Sequence, residues 1–209
     1  MPHLRLELVL RRRGLVRVAG IDEAGRGPLA GPVAAAAVIL PQRFRCPGLD
    51  DSKKLPAVKR EVFYDRITTD PRVVWAVATA DHLEIDRLNI LRATHLAMRR
   101  AAELLSPLPE HCLIDGLPVR DFPFPHDAVV KGDSISLSIA AASVIAKVTR
   151  DRIMREIDLE FPHFGFARHF GYGTKYHLEA LRIHGPCRHH RQSFQPVAQQ
   201  TLPLDFGRR

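Results

Sequence analysis

The chain is poor in cysteine. Cys46, Cys112 and Cys187 stand alone, with no Cys-x-x-Cys pair among them. Neither a disulfide framework nor a cysteine zinc site is indicated, and a reducing compartment, the cytoplasm, is expected. Long apolar runs are also missing, so no membrane-spanning helix is expected. The opening MPHLRLELVLRRRG holds a short apolar stretch broken by charge, with no small-residue cleavage site after it. No secretory signal is read there. Repeats and low-complexity blocks are absent as well.

What is present suits one domain, or a domain with a short C-terminal appendage: 209 residues, 45% of them hydrophobic. That apolar fraction supports a real core and argues against wholesale disorder. Lys and Arg outnumber Asp and Glu by 31 to 23. Such an excess favours polyanionic partners through counterion release, although charge alone does not separate a nucleic-acid binder from a merely soluble basic protein.

Hydrophobic periodicity gives a strand from Val16 to Asp22, ending at the turn Gly25-Arg26-Gly27-Pro28. Val33 to Leu40 is an unbroken apolar run, as in a strand buried on both faces. Pro56 fits the first turn of a helix to about Ile67, and Val73 to Ala80 reads as a third strand. Asn89 is placed to cap a helix to about Leu105, with Ile90, Ala93, Ala97, Ala101 and Leu104 at helical spacing. His111–Asp115 and Ala128–Lys131 read as short strands. A helix is expected from Ser138 to about Asp158, opening on small residues that permit close packing. Another runs from the cap Thr174 to His184, with Gly185 as its stop. The polar tail from Gln192 is expected to be loosely held. This order predicts an α/β domain, a central sheet with helices on both faces, over residues 1–160. Residues 161–209 are expected to form a small helical lobe and tail.

Acidic residues fall at element boundaries. Asp22 and Glu23 end a strand just before glycines. Asp115 ends the apolar strand Cys112-Leu113-Ile114, at the sheet edge where α/β proteins place their chemistry. Asp133 follows Lys131-Gly132; taken alone it reads better as an ordinary helix-start residue. Hard cations such as Mg²⁺ take oxygen ligands of this kind. Asp50, Asp51, Asp81 and Asp151 are read as decoys. The histidines His163, His169, His177, His184, His189 and His190 lack zinc-finger spacing and read as surface or hydrogen-bonding residues.

Several segments together resemble one family. Ala19-Gly20-Ile21-Asp22-Glu23-Ala24-Gly25-Arg26-Gly27-Pro28 resembles the opening motif of the type 2 ribonucleases H, the ribonuclease HII family. Asp51-Ser52-Lys53-Lys54-Leu55, Asn89-Ile90-Leu91, Ile114-Asp115-Gly116 and Lys131-Gly132-Asp133 resemble its later motifs. So do the block Ser138 to Asp151, Gly171-Tyr172-Gly173-Thr174 and His190-Arg191-Gln192-Ser193-Phe194. The match runs in order from about Ala19 to Phe194. Gly-Arg-Gly is more similar to HII than to the sister HIII family.

The resemblance implies an RNase H-like fold, a central mixed sheet flanked by helices. It implies endonucleolytic cutting of RNA in RNA–DNA hybrids and incision at single ribonucleotides in duplex DNA, leaving 3′-hydroxyl and 5′-phosphate ends. It implies Mg²⁺ or Mn²⁺ held by Asp22, Glu23, Asp115 and Asp133; Asp151 is left to a salt-bridge or helix-surface role. Gly25, Arg26 and Gly27 would read the ribose through backbone amides, and Tyr172 would stack beside the cut. Ser52, Lys53, Lys54, Lys147 and Arg150 would touch phosphates. A monomer is expected, with no membrane association. Two alternatives are another metal-dependent nuclease on this fold, separated by substrate assays, and a non-catalytic nucleic-acid-binding module, which would bind without cutting.

Overall fold

The computed structural model describes residues 1–201. Five strands form one mixed sheet: β1 (Val18–Ala24), β2 (Val33–Ile39), β3 (Val74–Ala80), β4 (His111–Asp115) and β5 (His126–Val129). Their order is β3-β2-β1-β4-β5. β1, β2 and β3 pair antiparallel, while β4 lies parallel to both β1 and β5. The helices are α1 (Arg5–Arg12), α2 (Ala57–Thr68), α3 (His82–Leu88), α4 (Ile90–Glu103), α5 (Leu137–Glu160), α6 (Phe166–His169), α7 (Lys175–His184) and α8 (Val197–Thr201).

The sheet is covered on both faces, as its apolar central strands require. Ala19, Ile21, Ala35 and Ala37 pack on one side with Ala93, Ala97 and Ala101 of α4 and Ile85 of α3. Ala36 and Val38 pack on the other with Ala140, Ala141, Val144 and Ile145 of α5 and Phe63 and Ile67 of α2. The alanines let both helix layers come close. At Gly20 the two backbones nearly touch: a Cβ there would lie 2.2 Å from the carbonyl carbon of Ser138. Any side chain there would push α5 off β1, at about 1–3 kcal/mol for overpacking. That contact fixes where α5 sits relative to the end of β1, and so where Asp22 faces it.

Caps define the helix starts. Asn89 accepts from Arg92 N–H at 3.1 Å, and Thr174 from His177 N–H at 3.3 Å. Ser136 caps α5, accepting from Ile139 N–H at 3.2 Å. The N-terminal segment forms a helix that its broken apolar pattern did not announce. Glu7 of α1 is fully buried and accepts from Ser136 Oγ at 2.6 Å, Ser138 N–H at 3.0 Å and Ser138 Oγ at 2.6 Å. α1 thus ties down the first turn of α5.

Other boundaries move. The last strand is His126–Val129, because Lys131 turns left-handed at φ 57° and leads into a 3₁₀ turn, Gly132–Ser134. α3 was not foreseen; its capping box joins Asp81 and Glu84. The tail is not loose where it begins. Asp86 accepts from Gln192 N–H and from Ser193 N–H, each at 2.9 Å, and Val197 is buried. The remainder of that tail, 202–209, lies outside the described residues. Beyond Glu160, Phe164, Phe166 and Ala180 pack against Met154, Ile157 and Ala30. The short helices of this segment therefore lean on the far end of α5 and on the turn between β1 and β2.

Candidate active site

Asp22, Asp115 and Asp133 each offer a carboxylate oxygen within 4.8 Å of the others. β1 and β4 are adjacent and parallel, so Asp22 and Asp115 leave the sheet at the same edge. Asp133 comes from the 3₁₀ turn before α5, three residues short of that helix's cap, Ser136. It is therefore not a helix-start residue. Gly132 N–H donates to Asp115 Oδ1 at 2.7 Å, which locks the turn onto the strand end. Glu23 N–H donates to Asp22 Oδ1 at 2.7 Å. Ser143 of α5 hydrogen bonds to Asp22 and lies 2.8 Å from the Ser52 hydroxyl.

Three carboxyls are pushed above their ordinary range. Burial, then the charges of Glu23 and Asp115, push Asp22 well up. Burial also raises Glu23 against the opposing pull of Arg26, and burial with Asp115 and Asp51 raises Asp133. Like charges crowded in a poorly solvated site resist ionising together. Lys53 relieves part of this: burial would lower its pKa, but Asp22, Asp51, Asp133 and Asp115 raise it overall.

Glu23 stands apart from the three aspartates. Successive strand side chains face opposite ways, and Glu23 points toward α4. There it shares a small cavity with Arg26, Thr94, His95 and Asp115, and it accepts from Arg26 Nη1 at 3.3 Å. Asp51, read from sequence as a decoy, sits beside Asp133 and perturbs it. Asp151 takes the salt-bridge role expected of it, in a buried position, pairing with Lys147 at 2.5 Å and Arg60 at 3.8 Å.

A cleft of about 310 Å³ next to the aspartates gathers Glu23, Gly25, Arg26, Gly27, Ser52, Lys53, Lys147, Arg150 and Tyr172. Lys54 is not part of its lining; its amine reaches Ser134 Oγ at 2.9 Å and Asp50 at 3.3 Å. Ser52 is buried, and Lys147 is engaged by Asp151 and lies over the Phe170 ring. A larger groove of about 670 Å³ runs along α4, past Arg92, His95, Arg99 and Arg120.

Arg150 corrects the expectation of a phosphate contact. It is 1% exposed, and its guanidinium donates to the carbonyls of Pro32 at 2.9 Å, Phe170 at 3.0 Å and Ala30 at 3.2 Å. It supports the glycine loop from beneath. Gly25 has φ +98°, and a Cβ there would lie 1.9 Å from Arg150 Nε. Only glycine meets both demands.

Arg191 was seen only as part of a motif, without a role. It is fully buried and donates to Gly25 O at 2.6 Å, Arg26 O at 2.9 Å and Gly31 O at 3.0 Å. In a planar trans peptide the N–H points opposite the C=O. With the carbonyls of Gly25 and Arg26 held inward, the amides of Arg26 and Gly27 point away from Arg191. Among the described residues neither amide has an acceptor. The Tyr172 ring, half exposed, passes 3.7 Å from the Cβ position of Gly27.

A carboxylate cluster at the edge of a mixed sheet, beside a basic cleft with outward amides, is a donor set for divalent metal next to a surface suited to a polyanion. The family model for ribonuclease HII matches residues 19–197. The chain is 52% identical over 197 residues to the ribonuclease HII of Desulfitobacterium hafniense, covering 94% of this chain and 75% of that one. It is 53% identical over 196 residues to the ribonuclease HII of Geobacillus kaustophilus, with coverage of 94% and 75%. Among solved structures, it resembles that of the PCNA:RNase HII complex from Archaeoglobus fulgidus, with TM-score 0.72, 26% identity and coverage of 86% of this chain and 95% of that one. Bst-RNase HIII in complex with Mn²⁺ shares the fold, with TM-score 0.66, 20% identity and coverage of 95% and 73%. The chain belongs to the ribonuclease HII family.

Proposed function

We propose that this ribonuclease hydrolyses the RNA strand of RNA–DNA hybrids and incises at single ribonucleotides in duplex DNA, using Asp22, Glu23, Asp115 and Asp133. As a member of its family the chain is an endonuclease acting on RNA–DNA hybrids. The observation that carries the finer reading is the aspartate triad within 4.8 Å, next to two unpaired amides and an aromatic ring.

The acidic site fits divalent metal. Its donors are hard oxygens, and their raised proton affinities express burial first and mutual repulsion second, both of which a bound cation offsets. Asp22, Asp115 and Asp133 would hold it, with Glu23 at the edge. When bound, a pair of Mg²⁺ or Mn²⁺ ions supplies an acidified water and charge to stabilise the departing 3′-oxygen. The chain's own groups do the positioning. The amides of Arg26 and Gly27 meet the ribose 2′-hydroxyl or its phosphate, and Tyr172 stacks on the neighbouring sugar or base. Lys53 faces the phosphates, and the helical segment 161–201 serves as the substrate-binding extension. The arginines along α4 give the flanking duplex a basic wall.

The test replaces the single ribose by 2′-deoxy or 2′-O-methyl. Either change is expected to abolish incision with modest loss of binding, and the ribose substrate is expected to give 3′-hydroxyl and 5′-phosphate ends. Equal cutting of ribose and deoxyribose duplexes would overturn the reading.

A further inference from the structure

Two of the histidines read from sequence as surface or hydrogen-bonding residues are hydrogen-bonded and fully buried: His177 on α7 and His190 just before Arg191. Their Nε2 atoms lie 3.0 Å apart, so one must donate and the other accept. Cys187 N–H donates to His190 Nδ1 at 3.0 Å, which makes that nitrogen an acceptor. His177 Nδ1 lies 2.9 Å from the carbonyl of Tyr172, which makes that nitrogen a donor. One proton arrangement satisfies all three contacts. His190 carries its proton on Nε2, and His177 carries its proton on Nδ1. A second proton on either ring would leave two donors facing each other.

The same segment is gripped from a third side. His169 stacks on His177 with centroids 4.7 Å apart, and its Nδ1 accepts from Gly171 N–H at 3.2 Å. Tyr172 therefore has its carbonyl, and the amide just before it, set by histidines. His190 is the immediate neighbour of Arg191, which holds the carbonyls of Gly25 and Arg26. The two proposed readers of the ribose, the glycine loop and Tyr172, are thus held by adjoining residues.

We propose that His190 and His177 form a directional hydrogen-bond relay from Cys187 N–H to the Tyr172 carbonyl, which positions Tyr172 over Gly27 and sets the preference for a ribose flanked by DNA. The role of Tyr172 rests on the function proposed above; the relay itself does not. His177 and His190 are positioning residues. Burial keeps both rings neutral in ordinary buffers, each pushed down to about 4.

The experiment has two arms on the full-length protein. In the first, ¹⁵N-imidazole spectra at neutral pH identify the protonated nitrogen of each ring. The relay requires Nε2–H on His190 and Nδ1–H on His177. Any other tautomer pair, or a charged ring, overturns it whatever the activity does. In the second arm, cleavage of a single-ribonucleotide duplex and of a long hybrid is compared for wild type and the variants His177→Asn, His177→Gln and Tyr172→Ala. An asparagine amide falls where Nδ1 was and supplies a donor with no tautomer to choose; a glutamine amide falls at Nε2 and does not. His177→Asn is expected to keep the wild-type ratio between the two substrates. His177→Gln is expected to lose roughly tenfold on the single ribonucleotide relative to the hybrid, the effect of one hydrogen bond. Added to Tyr172→Ala, it is expected to change the ratio no further. Equal losses in the Asn and Gln variants, or a further drop in the double variant, would show a merely structural pair. If Tyr172→Ala itself leaves the ratio unchanged, the selectivity role falls with the reading of Tyr172, while the spectra still decide the relay.

Discussion

Removing the guanidinium of Arg191 is expected to damage ribose reading more than it damages the fold. Three carbonyls depend on it, at Gly25, Arg26 and Gly31, and the residue has no exposed surface. Each carbonyl left unpaired costs about 1–3 kcal/mol, so roughly 3–9 kcal/mol is at stake in Arg191→Ala before relaxation. The variant also relieves the burial of a charge, and burial beside Arg150 already holds the Arg191 pKa down to about 9. That relief is worth several kcal/mol, leaving a net loss of about 3–5 kcal/mol. A domain of ordinary stability, about 5–15 kcal/mol, survives this in the cold. Arg191→Lys is the sharper variant. It keeps the charge but gathers all donors on one nitrogen, which cannot span carbonyls that a planar fork reaches. A loop displaced by about 1 Å costs on the order of a hundredfold in rate. The assay pairs urea unfolding with kcat/KM on a single-ribonucleotide duplex, normalised to folded protein. Wild-type kcat/KM per folded molecule in both variants would refute the idea that Arg191 aims the amides.

Asp22→Asn is expected to lower cleavage by several kcal/mol of transition-state stabilisation, roughly a hundredfold or more, while hybrid affinity stays close to wild type. Turnover at the wild-type rate in saturating Mg²⁺ would remove Asp22 from the catalytic set. Binding of Mg²⁺ or Mn²⁺ is expected to release protons over the pH range in which Asp22 titrates, because burial and the charges of Glu23 and Asp115 raise its proton affinity and a bound metal lowers it. Calorimetry in two buffers of different ionisation heat measures this, and a binding heat independent of buffer would contradict it. The histidine pair has the opposite sign from that carboxyl. Below the unfolded value of 6.5 the unfolded chain takes up protons that the native pair refuses until about 4. Stability present above pH 6.5 is therefore lost on acidification, by about 2 kcal/mol per ring at pH 5. Urea midpoints at pH 7 and pH 5 are expected to differ less for His177→Asn than for wild type; equal differences would argue against buried neutral rings.

Much of the sheet was legible because its strands are apolar runs ending at acids or glycines. β4 falls on the expected residues, and β2 and β3 lie within a residue of them. α1 was hidden because its charges interrupt the apolar pattern, and one of them, Glu7, turns inward to hold Ser136 and Ser138. The triad's strand positions could be read locally. Asp133 could not, since its partner contact through Gly132 spans the chain from a turn to β4. Arg150 and Arg191 show the same limit. Arg150 was read as a phosphate contact and Arg191 had no role, yet each is buried by carbonyls of the turn between β1 and β2. Long-range partners of that kind leave no periodic trace. The resemblance to the family flagged the His190-Arg191 segment without saying what it does.

The most direct measurement is incision of a DNA duplex carrying one ribonucleotide, with and without Mg²⁺, by wild type and by Asp115→Asn. Asp115 accepts from Gly132 N–H at 2.7 Å, and an asparagine keeps an Oδ1 that accepts the same bond, so the replacement disturbs ligation more than packing. The carboxylate account predicts a single cut at the ribonucleotide by wild type with metal, none without metal, and almost none from Asp115→Asn at any Mg²⁺ concentration. Metal-independent cutting, or full activity in Asp115→Asn, would contradict it.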